Sequence, residues 1–372
     1  MKIVDEIPKK KVFDYEKPQI APIEDFLKAR VMGQEGAIKT LSKEIMHVLS
    51  GLKIAQDGPR GSVLMLGPSG VGKTVSANAV VELLLSKSKV PQDRRNPEDF
   101  LIKVNCAEFG DDAALWSLTG ARPGYVGSKG TSGYKPPALS PETLRNATFE
   151  LKDGQRVCVV LLDEIERADE SVRDFLLSAL SEGTAKTPQN EKIDFRNVVF
   201  LFTSNLGNRE ITAAKSQLAP GQTLGNDEAE RIRRTALQAQ FRSEDIGRMC
   251  GSAEAAVVYE PLGREVLETI LGREFEIIEG DLEKQGIKVE FNLTKDARDA
   301  LLEGGVSDDH GARALKRYIR AMIIQPLLHP SRDENKAALH DRKIYISCVP
   351  GTQEYQFRWA EARTFWQKLG DE

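Results

Sequence analysis

Apolar residues fall into five short continuous runs, at 62–66, 100–105, 157–162, 198–203 and 255–259, and stretches of helical periodicity separate them. Runs of this length without polar alternation suit strands buried on both faces, which a parallel sheet provides once helices cover its two sides. The pattern from Ile23 to about Leu262 therefore predicts an α/β fold with a parallel five-stranded sheet and helices on both faces. From Gly263 the pattern changes. A long charged helix to about Gln285, a strand at 287–292, helices near 295–303 and 311–328, and strands at 342–348 and 355–359 predict a small α+β domain placed like a lid. The expected division is an arm at 1–23, a large α/β domain at 24–262, a small domain at 263–349 and a tail at 350–372. The tail carries Phe357, Trp359, Phe365 and Trp366, which are expected to pack on the chain's own domain.

Composition narrows the field. A chain of 372 residues is long enough for two domains, and 52 Lys and Arg against 56 Asp and Glu leave a formal charge of −4. Without a basic surplus, nucleic acid is not an expected partner. Cys106, Cys158, Cys250 and Cys348 are far apart and form no C-x-x-C pair, so they are expected to be buried thiols rather than zinc ligands. No apolar run approaches a membrane span, and residues 1–11 are charged and interrupted by proline, so the expected location is cytoplasmic, with no membrane partner.

The strongest chemical signal follows the first apolar run: Gly67-Pro68-Ser69-Gly70-Val71-Gly72-Lys73-Thr74, the pattern G-x-x-x-x-G-K-[ST]. Backbone N–H groups of such a loop wrap phosphate oxygens, and the helix that follows turns its positive end toward the same anion. Lys73 is expected to reach the β- and γ-phosphates of ATP, and Thr74 to offer its hydroxyl to Mg2+. About ninety residues on, the run at 157–162 ends in Asp163-Glu164. At the carboxyl end of a central strand, Asp163 would orient Mg2+ and Glu164 would act as the base for an attacking water. The run at 198–203 ends in Ser204-Asn205, and the Asn205 amide is a candidate contact for the γ-phosphate or the water.

Taken in order, these residues resemble the AAA+ ATPases of the Clp type, in particular the second nucleotide-binding module of ClpB-like proteins, over roughly residues 24–349. Leu161-Leu162-Asp163-Glu164-Ile165-Glu166-Arg167-Ala168 is similar to the family's Walker B stretch, and Thr203-Ser204-Asn205-Leu206-Gly207 to its sensor-1 stretch. Leu27-Lys28-Ala29-Arg30-Val31-Met32-Gly33-Gln34 resembles the segment that lies over the adenine, which implies Val31 and Met32 as nucleotide contacts. Gly311-Ala312-Arg313-Ala314-Leu315-Lys316-Arg317 resembles the sensor-2 motif and implies Arg313 on the phosphates. Gly120-Ala121-Arg122-Pro123-Gly124-Tyr125-Val126-Gly127 resembles the aromatic pore loop, so Tyr125 and Val126 would grip a polypeptide.

The resemblance implies a homo-oligomeric ring, expected to be a hexamer, that hydrolyses ATP and threads or remodels protein substrates. Around the expected arginine finger the sequence departs from the family: in Phe241-Arg242-Ser243-Glu244-Asp245-Ile246-Gly247-Arg248-Met249 a Pro after the first Arg and an Asn before the second are missing. Arg248 is the finger candidate and Arg242 the reserve. Residues 213–229 lack the Ile-Gly-Phe or Ile-Gly-Leu tripeptide, so a ClpP-type peptidase is not an expected partner. A single phosphate loop implies a single ring. Two other readings stay open at this point: a nucleotide-dependent assembly switch or scaffold of a larger machine, and a DNA-acting translocase or loader, for which Arg122, Lys129 and Lys135 near the aromatic loop speak.

Overall fold

A computed structural model describes residues 19–51, 58–109, 114–121, 136–187, 190–219, 221–250, 256–305, 311–327, 342–349 and 352–361. The five apolar runs form strands β1 (Gly61–Leu66), β2 (Leu101–Asn105), β3 (Arg156–Asp163), β4 (Val198–Ser204) and β5 (Ala256–Val258). They pair side by side in the order β2-β3-β4-β1-β5, every pair parallel. A short strand, Phe149–Glu150, adds an antiparallel partner to β3.

Continuous burial follows from this order. β4 and β1 lie inside the sheet, and all seven residues of β4 are buried. Alternate residues enter opposite cores, as the two-residue strand period requires. Leu64, Val160 and Phe200 join one apolar cluster with Val172, Leu176 and Leu180 of the helix Glu170–Glu182. Val63, Val159 and Leu201 join the other, which contains Ile38, Leu41 and Ile45 of the helix Glu35–Ser50 and Val80 and Leu84 of the helix Lys73–Ser86. In chain order we label the helices used below α1 (Ile20–Lys28), α2 (Glu35–Ser50), α3 (Lys73–Ser86), α4 (Glu170–Glu182), α5 (Ser243–Cys250), α6 (Arg264–Lys284), α7 (Lys295–Gly305) and α8 (Gly311–Ile319). Helix α1 begins within the stretch expected to be the arm.

Strand register aligns the carboxyl ends. Leu66 of β1 lies opposite Ser204 of β4, Leu162 of β3 opposite Phe202, and Asn105 of β2 opposite Asp163. The phosphate loop, the Asp163-Glu164 pair and Asn205 therefore leave the sheet at one edge, where a ligand crevice forms in open α/β sheets.

The small domain has its own core. Leu267, Leu271, Phe275, Ile278 and Leu282 recur at three- and four-residue spacing along α6 and pack with Leu301 of α7, Leu315 of α8 and Ile344. Its sheet joins β6 (Val289–Leu293), β7 (Arg342–Cys348) and β8 (Tyr355–Glu361), with β7 parallel to β6 and antiparallel to β8. Residues 355–361, in the expected tail, are thus an edge strand of this sheet, with Trp359 opposite Ile344. Phe365 and Trp366 lie outside the described residues. The long helix expected at 311–328 is instead interrupted: α8 passes into a π turn at Arg320–Ile324 before Gln325–Leu327. Pro326 supplies the reason, since it has no N–H for the carbonyl of Met322 and its ring crowds that turn. The four cysteines are buried and unpaired. Among the described residues no helix is long and apolar enough to cross a membrane.

Candidate functional site

The phosphate loop leaves β1 through Gly67, whose φ of +138° lies in the region that favours glycine. A Cβ there would stand 2.4 Å from the carbonyl oxygen of Tyr259, so backbone fills the space a side chain would need. Lys73 opens α3 with 7 % of its surface exposed. Its ammonium donates to the carbonyls of Gly67 and Pro68, the latter at 2.7 Å, and to Asn205 Oδ1 at 3.0 Å. Burial pushes this ammonium down to about 8, against the attraction of Glu166, Asp163 and Glu164, and Arg313 adds repulsion. A buried cation that donates to neutral oxygens, beside a glycine-rich loop at a helix start, suits an anionic ligand. The residues present fit a nucleotide phosphate chain.

The carboxylates stand across from this cation. Thr203 Oγ1 donates to Asp163 Oδ1 and accepts from the backbone N–H of Glu164 at 3.0 Å. Glu164 itself adopts a left-handed backbone, φ 56° and ψ 52°, which costs a non-glycine residue roughly 1 kcal/mol or more. One carboxylate oxygen accepts from Asn205 Nδ2 at 3.3 Å, and the other pairs with Arg167 at 3.1 Å. Asn205 also donates its backbone N–H to Glu166 at 3.0 Å, while the second oxygen of Glu166 is buried without a hydrogen bond. Thr203 and Glu166 were not among the expected site residues. The only hint of them is their position beside the expected ones, because a threonine ending a strand or a glutamate in a turn carries no signal alone.

Asp163 and Thr74 both line the cleft. Among the described residues no group of three or more His, Cys, Asp and Glu side chains could hold a metal ion. A Mg2+ at this place would take its remaining ligands from phosphate oxygens and water, its usual coordination in phosphate-transfer sites.

The cleft, about 410 Å³, lies between the two domains. The large domain contributes Val31, Met32 and Ser69 to Val75, whereas α6 and α8 contribute Ile270, Arg273, Glu274, Ile277, Arg313 and Lys316. Pro68, an expected nucleotide contact, is buried and does not line the cleft; its carbonyl accepts from Lys73. The domains meet directly: the N–H of Ala312 donates to the carbonyl of Gly70 at 3.1 Å. Gly311 makes that approach feasible, since its φ is +45° and a Cβ would sit 3.0 Å from the same carbonyl oxygen. Gln34 ties the segment 27–34 to the loop, donating to the carbonyls of Val71 at 3.2 Å and Glu260 at 2.8 Å and accepting from the N–H of Glu260 at 3.0 Å. Glu274 and Lys316, which line the cleft, and Gln34, which braces its phosphate loop, had no expected role. Their partners are remote in sequence.

Arg248 lies outside this cleft. It is exposed on α5 and makes no ion pair among the described residues, whereas Arg242 pairs with Glu170 of α4 at 2.7 Å. Tyr125 and Val126 lie outside the described residues.

Residues 58–250 match the family model described as AAA domain (Cdc48 subfamily), and residues 262–335 match the C-terminal, D2-small domain, of ClpB protein. The chaperone protein ClpB of Pseudomonas putida is 33 % identical over 324 residues, covering 86 % of this chain and 33 % of that relative. The ATP-binding subunit ClpC of the ATP-dependent Clp protease from Staphylococcus saprophyticus is 30 % identical over 341 residues, 91 % of this chain and 38 % of the relative. Among solved structures, a closed-state cryo-electron-microscopy reconstruction of Hsp104 with ATPγS and FITC-casein superposes with a TM-score of 0.68 at 28 % identity, covering 95 % of this chain and 54 % of the other. The chain thus spans about a third of the length of the curated relatives it matches. With a phosphate loop, a paired-carboxylate strand end and a small domain closing one cleft, and with 58–250 inside the family model, this chain belongs to the AAA family.

Proposed function

We propose that this chain is an ATPase that uses Mg2+ and works as a subunit of a ring, expected to be hexameric, that remodels or threads polypeptide. The observation that carries the reading is the Asn205 side chain, which contacts both the buried cation Lys73 and the carboxylate Glu164 and so couples the phosphate-binding group to the candidate base. Lys73 and the loop N–H groups bind and orient the phosphate chain. Thr74 and Asp163 would hold Mg2+, and Glu164, steadied by Asn205 and Arg167, would accept a proton from water. ATP, when bound, supplies the phosphoryl group transferred to that water. Arg313 and the Ala312 contact make the small domain sensitive to what occupies the cleft, and Arg248 on the outer surface completes a neighbour's site.

A protein substrate is favoured over DNA by the relatives, ClpB and ClpC, and by the Hsp104 neighbour, whose reconstruction includes casein. Tyr125 and Val126 are the proposed gripping residues. The test is a fluorescent client carrying an unstructured tail, mixed with the chain and ATP. Unfolding by wild type and its loss in Tyr125→Ala, with ATPase activity kept, supports threading. Equal unfolding by both proteins removes the pore-loop role, and stimulation of ATPase by DNA rather than by unfolded protein moves the reading to a DNA-acting ring.

A further inference from the structure

The small-domain wall of the cleft carries three cations, Arg273, Arg313 and Lys316, and a single carboxylate, Glu274. Glu274 is 2 % exposed, although glutamate is rarely buried unless it is paired. Its partners are Lys316 at 2.7 Å and Arg320 at 3.6 Å. The two cations differ in what they face: Lys316 lines the cleft, and Arg320, the first residue of the π turn, does not. Lys316 follows Arg313 by three residues on α8, so the two lie on one helix face. The start of α8 is docked on the phosphate loop through the Ala312 N–H, which sets Lys316 little more than one turn from that contact.

A lysine on a helix surface samples many rotamers, and most of them point its charge into water. Here, departure of Lys316 would leave a buried carboxylate short of a partner, which is costly. The ion pair therefore holds a cation ready on the cleft wall before any ligand arrives, and a preorganised charge needs no rearrangement on binding. We propose that Lys316 is a nucleotide-binding residue and that Glu274 is the positioning residue that keeps it there. The inference rests on the nucleotide reading above.

The test measures the Kd of a fluorescent ADP analogue, with KM and kcat for ATP and a melting temperature for each variant. Lys316→Met should weaken binding about fivefold and raise KM with kcat within about twofold, the size expected for one partly exposed charge contact. Lys316→Arg should restore binding to within about twofold, because the charge is kept. In a Glu274→Gln background the Lys316→Met penalty should fall below about twofold, since coupled residues are non-additive. Arg320→Met removes the other partner of Glu274 and should leave Kd within about twofold of wild type, whatever it does to melting. An unchanged Kd in Lys316→Met, an equal penalty in both backgrounds, or an Arg320→Met loss as large as that of Lys316→Met would overturn the assignment. If Glu274→Gln does not fold, the contrast among Lys316→Met, Lys316→Arg and Arg320→Met still decides. Wild-type binding no tighter than that of Lys73→Ala would overturn the nucleotide reading itself, and this inference with it.

Discussion

Asn205 is bonded at once to Lys73 and to Glu164: its Oδ1 accepts from the ammonium at 3.0 Å and its Nδ2 donates to the carboxylate at 3.3 Å. One amide thus spans the two groups of opposite charge proposed to serve binding and hydrolysis. Asn205→Ala should therefore lower turnover by about a hundredfold or more while nucleotide Kd stays within a few fold, the pattern of a group used mainly as the reaction proceeds. Steady-state kinetics beside equilibrium binding checks this. A tenfold loss of affinity with unchanged kcat would make Asn205 a binding group instead.

Glu164 and Lys73 should separate in the same assays. Lys73→Ala is expected to lose tight nucleotide binding, whereas Glu164→Gln should keep ATP bound and fail to hydrolyse it. Near-normal turnover by Glu164→Gln would take away the role of base.

The low proton affinity of Lys73 gives a pH signature. Burial lowers it from 10.5 to about 8, so between those values the unfolded chain holds more protons than the folded one. The destabilisation from this group is full below about pH 8 and is relieved as pH rises toward 10.5. Nucleotide binding has the opposite slope. Phosphate favours the charged ammonium, so above about pH 8 binding takes up a proton and affinity falls, by at most about tenfold per pH unit. Calorimetry in buffers of different ionisation enthalpy reads the uptake directly, and binding at pH 9 without it would contradict the assignment.

Gly311→Ala tests the contact between domains. An alanine at φ +45° costs roughly 1 kcal/mol, and its Cβ would press on the carbonyl of Gly70 that Ala312 now reaches. Nucleotide affinity should fall several-fold while the melting of the large domain is little changed, because the strain lies at the contact between the domains rather than in a core. A large drop in melting temperature with intact binding would place the role of Gly311 in folding.

For the two candidate fingers the structure makes different expectations. Arg242 is already engaged with Glu170 in an exposed pair, worth little to stability, while Arg248 is exposed and unpaired among the described residues. Arg248→Ala should cut hydrolysis by about a thousandfold with ATP affinity much less affected, and Arg242→Ala should leave it within a few fold. Activity should depend on protein concentration, and mixing Arg248→Ala with Glu164→Gln subunits should recover part of it, since the Glu164→Gln subunit supplies Arg248 to a neighbour that keeps Glu164. Hydrolysis independent of concentration and of Arg248 would point to a site complete within one subunit.

Sequence by itself determined the parts of this protein whose physics is local. A continuous apolar run such as 157–162 suits a strand covered on both sides, and the glycines and lysine of 67–74 suit an anion cradle, because spacing and residue type carry both signals. The strand runs of both domains and the helix α6 were legible for the same reason, whereas the order in which the strands pair was not, and the π turn before Pro326 was hidden by a helical period that persists through it. Tertiary structure decided what depends on residues far apart in the chain. Gln34 meets Glu260 across 226 positions, Asn205 meets Lys73 across 132, and Glu274 meets Lys316 only because α6 packs beside α8. No periodicity encodes such pairings, since each side chain alone is an ordinary polar residue. Their pairing comes from buried or half-buried positions in which charged and hydrogen-bonding groups must find partners.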